Sequence, residues 1–93
     1  MNKAIKLIIQ GKVQAVGYRR WFEQQAIALG LKGYVKNLDT GDVEAVIIGW
    51  AEAVQDMIQR SHIGPARAAV SGIIQMELDP DLTHDFKRFE TLV

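Results

Sequence analysis

The chain has 93 residues, enough for one modest hydrophobic core and too few for a catalytic domain beside a separate cofactor domain, so a single domain over 1–93 is expected. Eleven basic and eleven acidic side chains cancel, which excludes a global field drawing the protein to nucleic acid or to an anionic membrane. The lack of cysteine excludes disulfides, thiolate nucleophiles and thiolate metal sites, and it suits a reducing compartment, with the cytoplasm as the expected address.

Met1 to Lys6 lacks the apolar run of a leader, and no later stretch approaches the roughly 20 apolar residues of a bilayer span. Ala4 to Gln10 is short, apolar and β-branched, which predicts a buried strand with Gly11 as its exit. After a loop from Lys12 to Gly17, the spacing of Tyr18, Phe22, Ala26 and Leu29 predicts a helix, widened by Trp21 and Ala28 and stopped at Gly30. Lys32 to Asn37 and Asp42 to Gly49 read as strands, paired antiparallel through the turn Leu38-Asp39-Thr40-Gly41. Val54, Met57, Ile58 and Ser61 share one face of a second helix that begins near Ala51 and that Gly64-Pro65 closes.

Ala69 to Leu78 is a further strand, broken by Asp79-Pro80-Asp81, and Arg88 to Val93 is a candidate short terminal strand. The expected fold class is therefore α+β, a βαββαβ split sandwich with two helices on one face of an antiparallel sheet.

Two segments carry candidate chemistry. Gly11 to Arg19 joins a strand to the first turn of a helix, where free backbone N–H groups and the helix field favour an anion. Arg19 falls in that turn, and its planar fork suits a pair of phosphate oxygens. The segment lacks the Gly-Lys-Ser/Thr of a Walker loop, and read alone Arg19 is first a solvated surface arginine. Asn37 ends the strand before the hairpin. Its amide can hold a water and a substrate oxygen together, although the residue alone reads first as a turn former.

The run Gly11-Lys12-Val13-Gln14-Ala15-Val16-Gly17-Tyr18-Arg19 resembles the acylphosphatase signature. Gly33-Tyr34-Val35-Lys36-Asn37, with Gly41-Asp42-Val43 and Gly49, is similar to that family's second signature, and Gly64 to Val70 is similar to the segment that leads into the family's later strand. The resemblance implies a ferredoxin-like fold and hydrolysis of acyl phosphates, small molecules with a carboxyl-phosphate anhydride, without metal or other cofactor. It further implies that Arg19 binds the phosphate, that Asn37 orients the attacking water, and that the backbone of Gln14, Ala15, Val16, Gly17 and Tyr18 forms the phosphate cradle.

Two positions depart from the pattern: Ala15 stands where the family has glycine, and Tyr18 where it has phenylalanine. If the glycine serves a positive φ or close approach of the backbone to phosphate, the Ala15 methyl is a burden, costing about 1 to 2 kcal/mol in a left-handed conformation. That departure keeps open a catalytically impaired, phosphate-binding relative. An RNA-binding module shares the element order and the start Lys32-Gly33-Tyr34, but it fails at Val35 and Lys36 and lacks a basic groove. No nucleic-acid or membrane partner is expected, and a monomer is.

His62 and His84 lie outside both signatures and are too far apart for metal spacing. Trp21, Phe22, Tyr34 and Trp50 read as core or core edge. Arg60, Arg67, Lys87 and Arg88 read as a solvated surface.

Overall fold

A computed structural model of the chain describes residues 2–83 and 85–92. Its elements are β1 (Asn2–Lys12), α1 (Tyr18–Ala28), β2 (Lys32–Asn37), β3 (Val43–Trp50), α2 (Ala51–Ile63), β4 (Ala69–Leu78) and β5 (Phe89–Thr91), with a 3-10 turn at Pro80–Thr83. His84 lies outside the described residues.

The five strands stand in the order β4-β1-β3-β2-β5. β1 pairs antiparallel with both β3 and β4, and β2 pairs antiparallel with β3. β5 runs parallel to β2, Gly33 opposite Phe89 and Val35 opposite Thr91. The four strands of the expected sandwich pair antiparallel, as predicted, and the terminal strand makes the sheet mixed. A chain that reverses after β4 must run in the direction of β1, and β2 shares that direction.

Alternation along the strands builds two faces of unequal depth. Ile5, Leu7, Ile9, Val35, Val43, Ala45 and Ile47 meet Phe22 and Ala26 of α1 and Val54, Met57 and Ile58 of α2 in the main core, so both helices cover one face. Across the sheet, Ala4, Val46 and Ile48 form a smaller cluster with Tyr34, Leu78 and Phe86.

β1 does not stop at Gly11. It continues to Lys12 through a bulge between Gln10 and Gly11, where Gly11 has φ 120° and a Cβ would fall 2.2 Å from the Ala69 carbonyl oxygen. The glycine serves close backbone approach at a bulge rather than strand exit. α1 ends as its pattern predicts: Gly30 takes φ 72°, and the N–H of Leu31 reaches back to the Ala26 carbonyl in a Schellman closure.

Trp50 is no core residue: it is 64% exposed, because it caps α2 in an extended conformation at the end of β3. Phe22 is buried, Trp21 packs partly against the main core and Tyr34 against the smaller cluster. Arg60 is more than surface charge. It holds Asp56 through Nε at 3.0 Å and Nη2 at 3.2 Å and donates to Gln25 Oε1 at 2.8 Å, joining α2 to α1.

Candidate active site

The loop from Val13 to Gly17 has an unusual backbone. Ala15 takes φ 59°, and Gly17, the residue before α1, takes φ 78°. Left-handed residues set between ordinary ones turn successive N–H groups toward one point, which is the geometry of an anion nest. No side chain caps α1 and no acid stands in its first turn. The first backbone bond of the helix runs from the Trp21 N–H to the Gly17 carbonyl. Among the described residues, no N–H from Gln14 to Arg20 donates to a protein acceptor. A row of donors without protein partners at a helix N-terminus is what an oxyanion satisfies.

This loop forms one wall of a cleft of about 290 Å³ lined by Val13, Ala15, Gly17, Tyr18, Arg19, Arg20, Glu23, Asn37 and Thr91. Arg19 and Asn37, 18 positions apart on different elements, thus share one cavity. Arg19 is half-buried and Arg20 exposed, yet both reach the cleft. Neither forms an ion pair or side-chain hydrogen bond among the described residues, and with two guanidiniums against the one carboxylate of Glu23 the cleft lining carries a net positive charge. Asn37 Oδ1 is buried and has no hydrogen-bond partner. Such an atom is costly unless something donates to it, and its residue lines the cleft.

The predicted cradle residues divide by role. Ala15, Gly17 and Tyr18 line the cleft, whereas Val16 turns its side chain into the core. The Gln14 side chain points to the hairpin: its Nε2 donates to Leu38 O at 2.8 Å and to Asp42 O at 2.9 Å. The extra hydroxyl of Tyr18 donates to the Ser61 carbonyl at 2.8 Å, fastening the start of α1 to the end of α2. Burial pushes the Tyr18 phenol far up, against the opposing effect of that hydrogen bond, so it is neutral throughout the physiological range.

His62 is exposed in the last turn of α2 and does not line the cleft. Among the described residues no group of three or more His, Cys, Asp or Glu side chains is arranged to hold a metal.

Glu23 and Thr91 are cleft residues that the motif reading missed; Thr91 Oγ1 donates to Glu23 Oε2 at 2.8 Å. Glu23 was within reach of the sequence, because it lies one helical turn after Arg19 on the same face. Thr91 was not, since it arrives through the parallel pairing of a three-residue strand.

A second polar cluster lies on the far face of the sheet. Glu44, 8% exposed, accepts from the Tyr34 hydroxyl at 2.7 Å and pairs with Lys6 at 3.3 Å and Lys36 at 3.6 Å. Burial works against the Glu44 carboxylate, but the Tyr34 and Lys6 hydrogen bonds and the two lysine charges hold it below its ordinary value. Burial, the bond to Glu44 and the Glu44 charge push Tyr34 up to about 12. Tyr34 also packs its ring on Phe86, so it is not a free stacking platform for a base.

A family model described as acylphosphatase matches residues 5–91. The chain is 47% identical over 73 residues to an acylphosphatase of Azorhizobium caulinodans, covering 78% of each. It is 40% identical over 87 residues to an acylphosphatase of Vibrio cholerae, covering 94% of this chain and 93% of that one. Its fold matches an acylphosphatase structure from Coxiella burnetii with a TM-score of 0.90 at 33% identity, covering 98% of this chain and 93% of that one.

Proposed function

The chain belongs to the acylphosphatase family and is an acyl phosphate hydrolase, and on that premise we propose that it acts through Arg19, Asn37 and the loop amides from Gln14 to Tyr18. The observation that carries this reading is the meeting of three unsatisfied features at one cleft: the free N–H row, the unpaired Arg19 guanidinium and the buried Asn37 Oδ1.

In this reading the loop amides and Arg19 hold the phosphoryl oxygens and stabilise their charge as the transition state forms. Asn37 Oδ1 accepts from the attacking water and fixes it in line with the leaving group. The bond from phosphorus to the carboxylate oxygen breaks with its electron pair, the water oxygen bonds to phosphorus, and the water's proton passes to a phosphate oxygen. The products are a carboxylate and inorganic phosphate. A carboxylate is a good leaving group, so neither a protein acid nor a metal is required by the chemistry.

The reading takes residues 1–93 as one domain, acting as a cytoplasmic monomer with no nucleic-acid or membrane partner; the neutral charge and the family match over 5–91 support it.

The test is hydrolysis of benzoyl phosphate in EDTA by the parent, Arg19→Ala, Asn37→Ala and Arg20→Ala. The expected outcome is metal-independent turnover by the parent. Arg19→Ala should lose both turnover and phosphate inhibition, Asn37→Ala should lose turnover and keep phosphate inhibition, and Arg20→Ala should be mild. Equal losses at Arg19 and Arg20 would assign the wrong arginine, and loss of phosphate inhibition in Asn37→Ala would contradict the division of roles.

A further inference from the structure

The two halves of the site come from separate elements: the cradle from the β1–α1 loop and Asn37 from the end of β2. In-line attack requires the distance between them to be held to a fraction of an ångström. Asn37 and Val43 form the last rung of the β2–β3 ladder. The next pair outward is Leu38 and Asp42, joined by the Leu38 N–H on the Asp42 carbonyl at 2.9 Å, with the Gly41 N–H on the Leu38 carbonyl at 3.1 Å.

Both of those carbonyls also accept from Gln14 Nε2. A primary amide has two N–H groups, and here both are used on the two residues that close the turn just beyond Asn37. On the loop side, Gln14 is the residue immediately before Ala15, where the left-handed backbone of the cradle begins. Gln14 therefore ties the first residue of the phosphate cradle to the rung beside the water-holding residue.

We infer that the Gln14 side chain is a positioning residue of the hydrolysis, setting the separation between the phosphate cradle and Asn37. The inference rests on the roles proposed above for the cradle and Asn37. It assigns to Gln14 an effect on turnover and not on phosphate affinity. The cradle amides and Arg19 remain intact without it, whereas the turn carrying Asn37 is released. A shift of about 1 Å in a reacting partner is worth about 100-fold in rate.

The experiment compares the parent with Gln14→Met, which keeps side-chain length and removes both donors. Gln14→Glu, which keeps the shape and opposes a carboxylate to two carbonyl oxygens, serves as the second variant should the first fail to fold. Folding is checked by circular dichroism, and kcat, KM and inhibition by inorganic phosphate are measured with benzoyl phosphate. In parallel, a phosphate titration is followed by NMR on the backbone amides of residues 15–18 and on the Asn37 side-chain amide.

The expected result is a kcat lowered by about 100-fold with phosphate inhibition unchanged. The loop amides should titrate in both proteins and the Asn37 amide only in the parent. An unchanged kcat in a folded variant overturns the inference, as does an equal loss of kcat and phosphate affinity, which would make Gln14 part of the cradle itself. A parent without turnover would sink the hydrolytic roles of Arg19 and Asn37 instead. The Asn37 titration would then still decide the role of Gln14: an unaltered response in the variant refutes it.

Discussion

Two polar regions of this small molecule are built on opposite principles. At Glu44 every charge is matched: the carboxylate is bonded by Tyr34 and paired with Lys6 and Lys36, and the group sits almost out of water. At the cleft, the Thr91–Glu23 bond apart, the polar groups are unmatched: the loop amides have no protein acceptor, Arg19 forms no ion pair and Asn37 Oδ1 has no donor. A saturated cluster stabilises the fold and has no capacity left for a ligand. An unsaturated one costs stability and keeps that capacity.

The sharpest way to break this contrast is a pair of isosteric or small changes, one in each region. Asn37→Ala should lower kcat by about 100- to 1000-fold, the usual loss for one transition-state contact. It should leave the unfolding midpoint unchanged or raised, because a buried oxygen without a partner is removed. Glu44→Gln should do the reverse, lowering stability by about 1 kcal/mol, a figure reduced by water around the half-exposed lysines, while turnover is retained. Urea melts and benzoyl phosphate kinetics on both variants decide it. A stability loss at Asn37 matching that at Glu44 would erase the distinction.

The same contrast has a pH form. Glu44 has a folded pKa below its unfolded value of about 4.3, so its contribution is present above that value and is lost as pH falls through the folded pKa. Tyr34 is raised to about 12, so its contribution is present below the unfolded value of about 10 and is lost as pH rises toward about 12. Urea midpoints across pH should therefore fall on both sides, and Glu44→Gln should flatten the acid limb.

Smaller effects sharpen the picture at the loop. Tyr18→Phe removes a buried hydrogen bond to the Ser61 carbonyl and should cost about 1 kcal/mol, read as a lowered thermal midpoint. Ala15→Gly relieves a methyl at φ 59°, but glycine adds entropy to the unfolded chain, leaving a net gain of about 0.5 kcal/mol. Loop amides that exchange more slowly in Ala15→Gly would show the strain relieved; a lower midpoint would show that the alanine is not strained.

What could be read beforehand follows physical range. The stripe Tyr18, Phe22, Ala26 and the hairpin around Leu38 to Gly41 are local patterns, written into neighbouring residues, and both appear where expected. The positive φ at Ala15 was one of two reasons, beside close backbone approach to phosphate, that the glycine of the resembled motif offered. The bulge at Gly11 depends on a carbonyl 58 positions away, at Ala69. The parallel seat of β5 depends on which edge of the sheet is vacant, and Trp50 is exposed because a helix begins immediately after it. None of these is a property of its own neighbourhood. The same holds for Gln14, whose motif position was plain but whose partners belong to the turn beyond Asn37.

The strand order has a consequence for how the molecule comes into being. β1 is made before the other four strands, yet it lies between β3 and β4, which start 41 and 67 positions after it. During synthesis the apolar run Ile5 to Ile9 has no strand to pair with until the chain reaches Val43, and its second edge stays bare until Ile73. Assembly of the sheet therefore waits on distant pairings, the condition that slows folding, and of the five strands β1 waits longest with apolar residues exposed to aggregation.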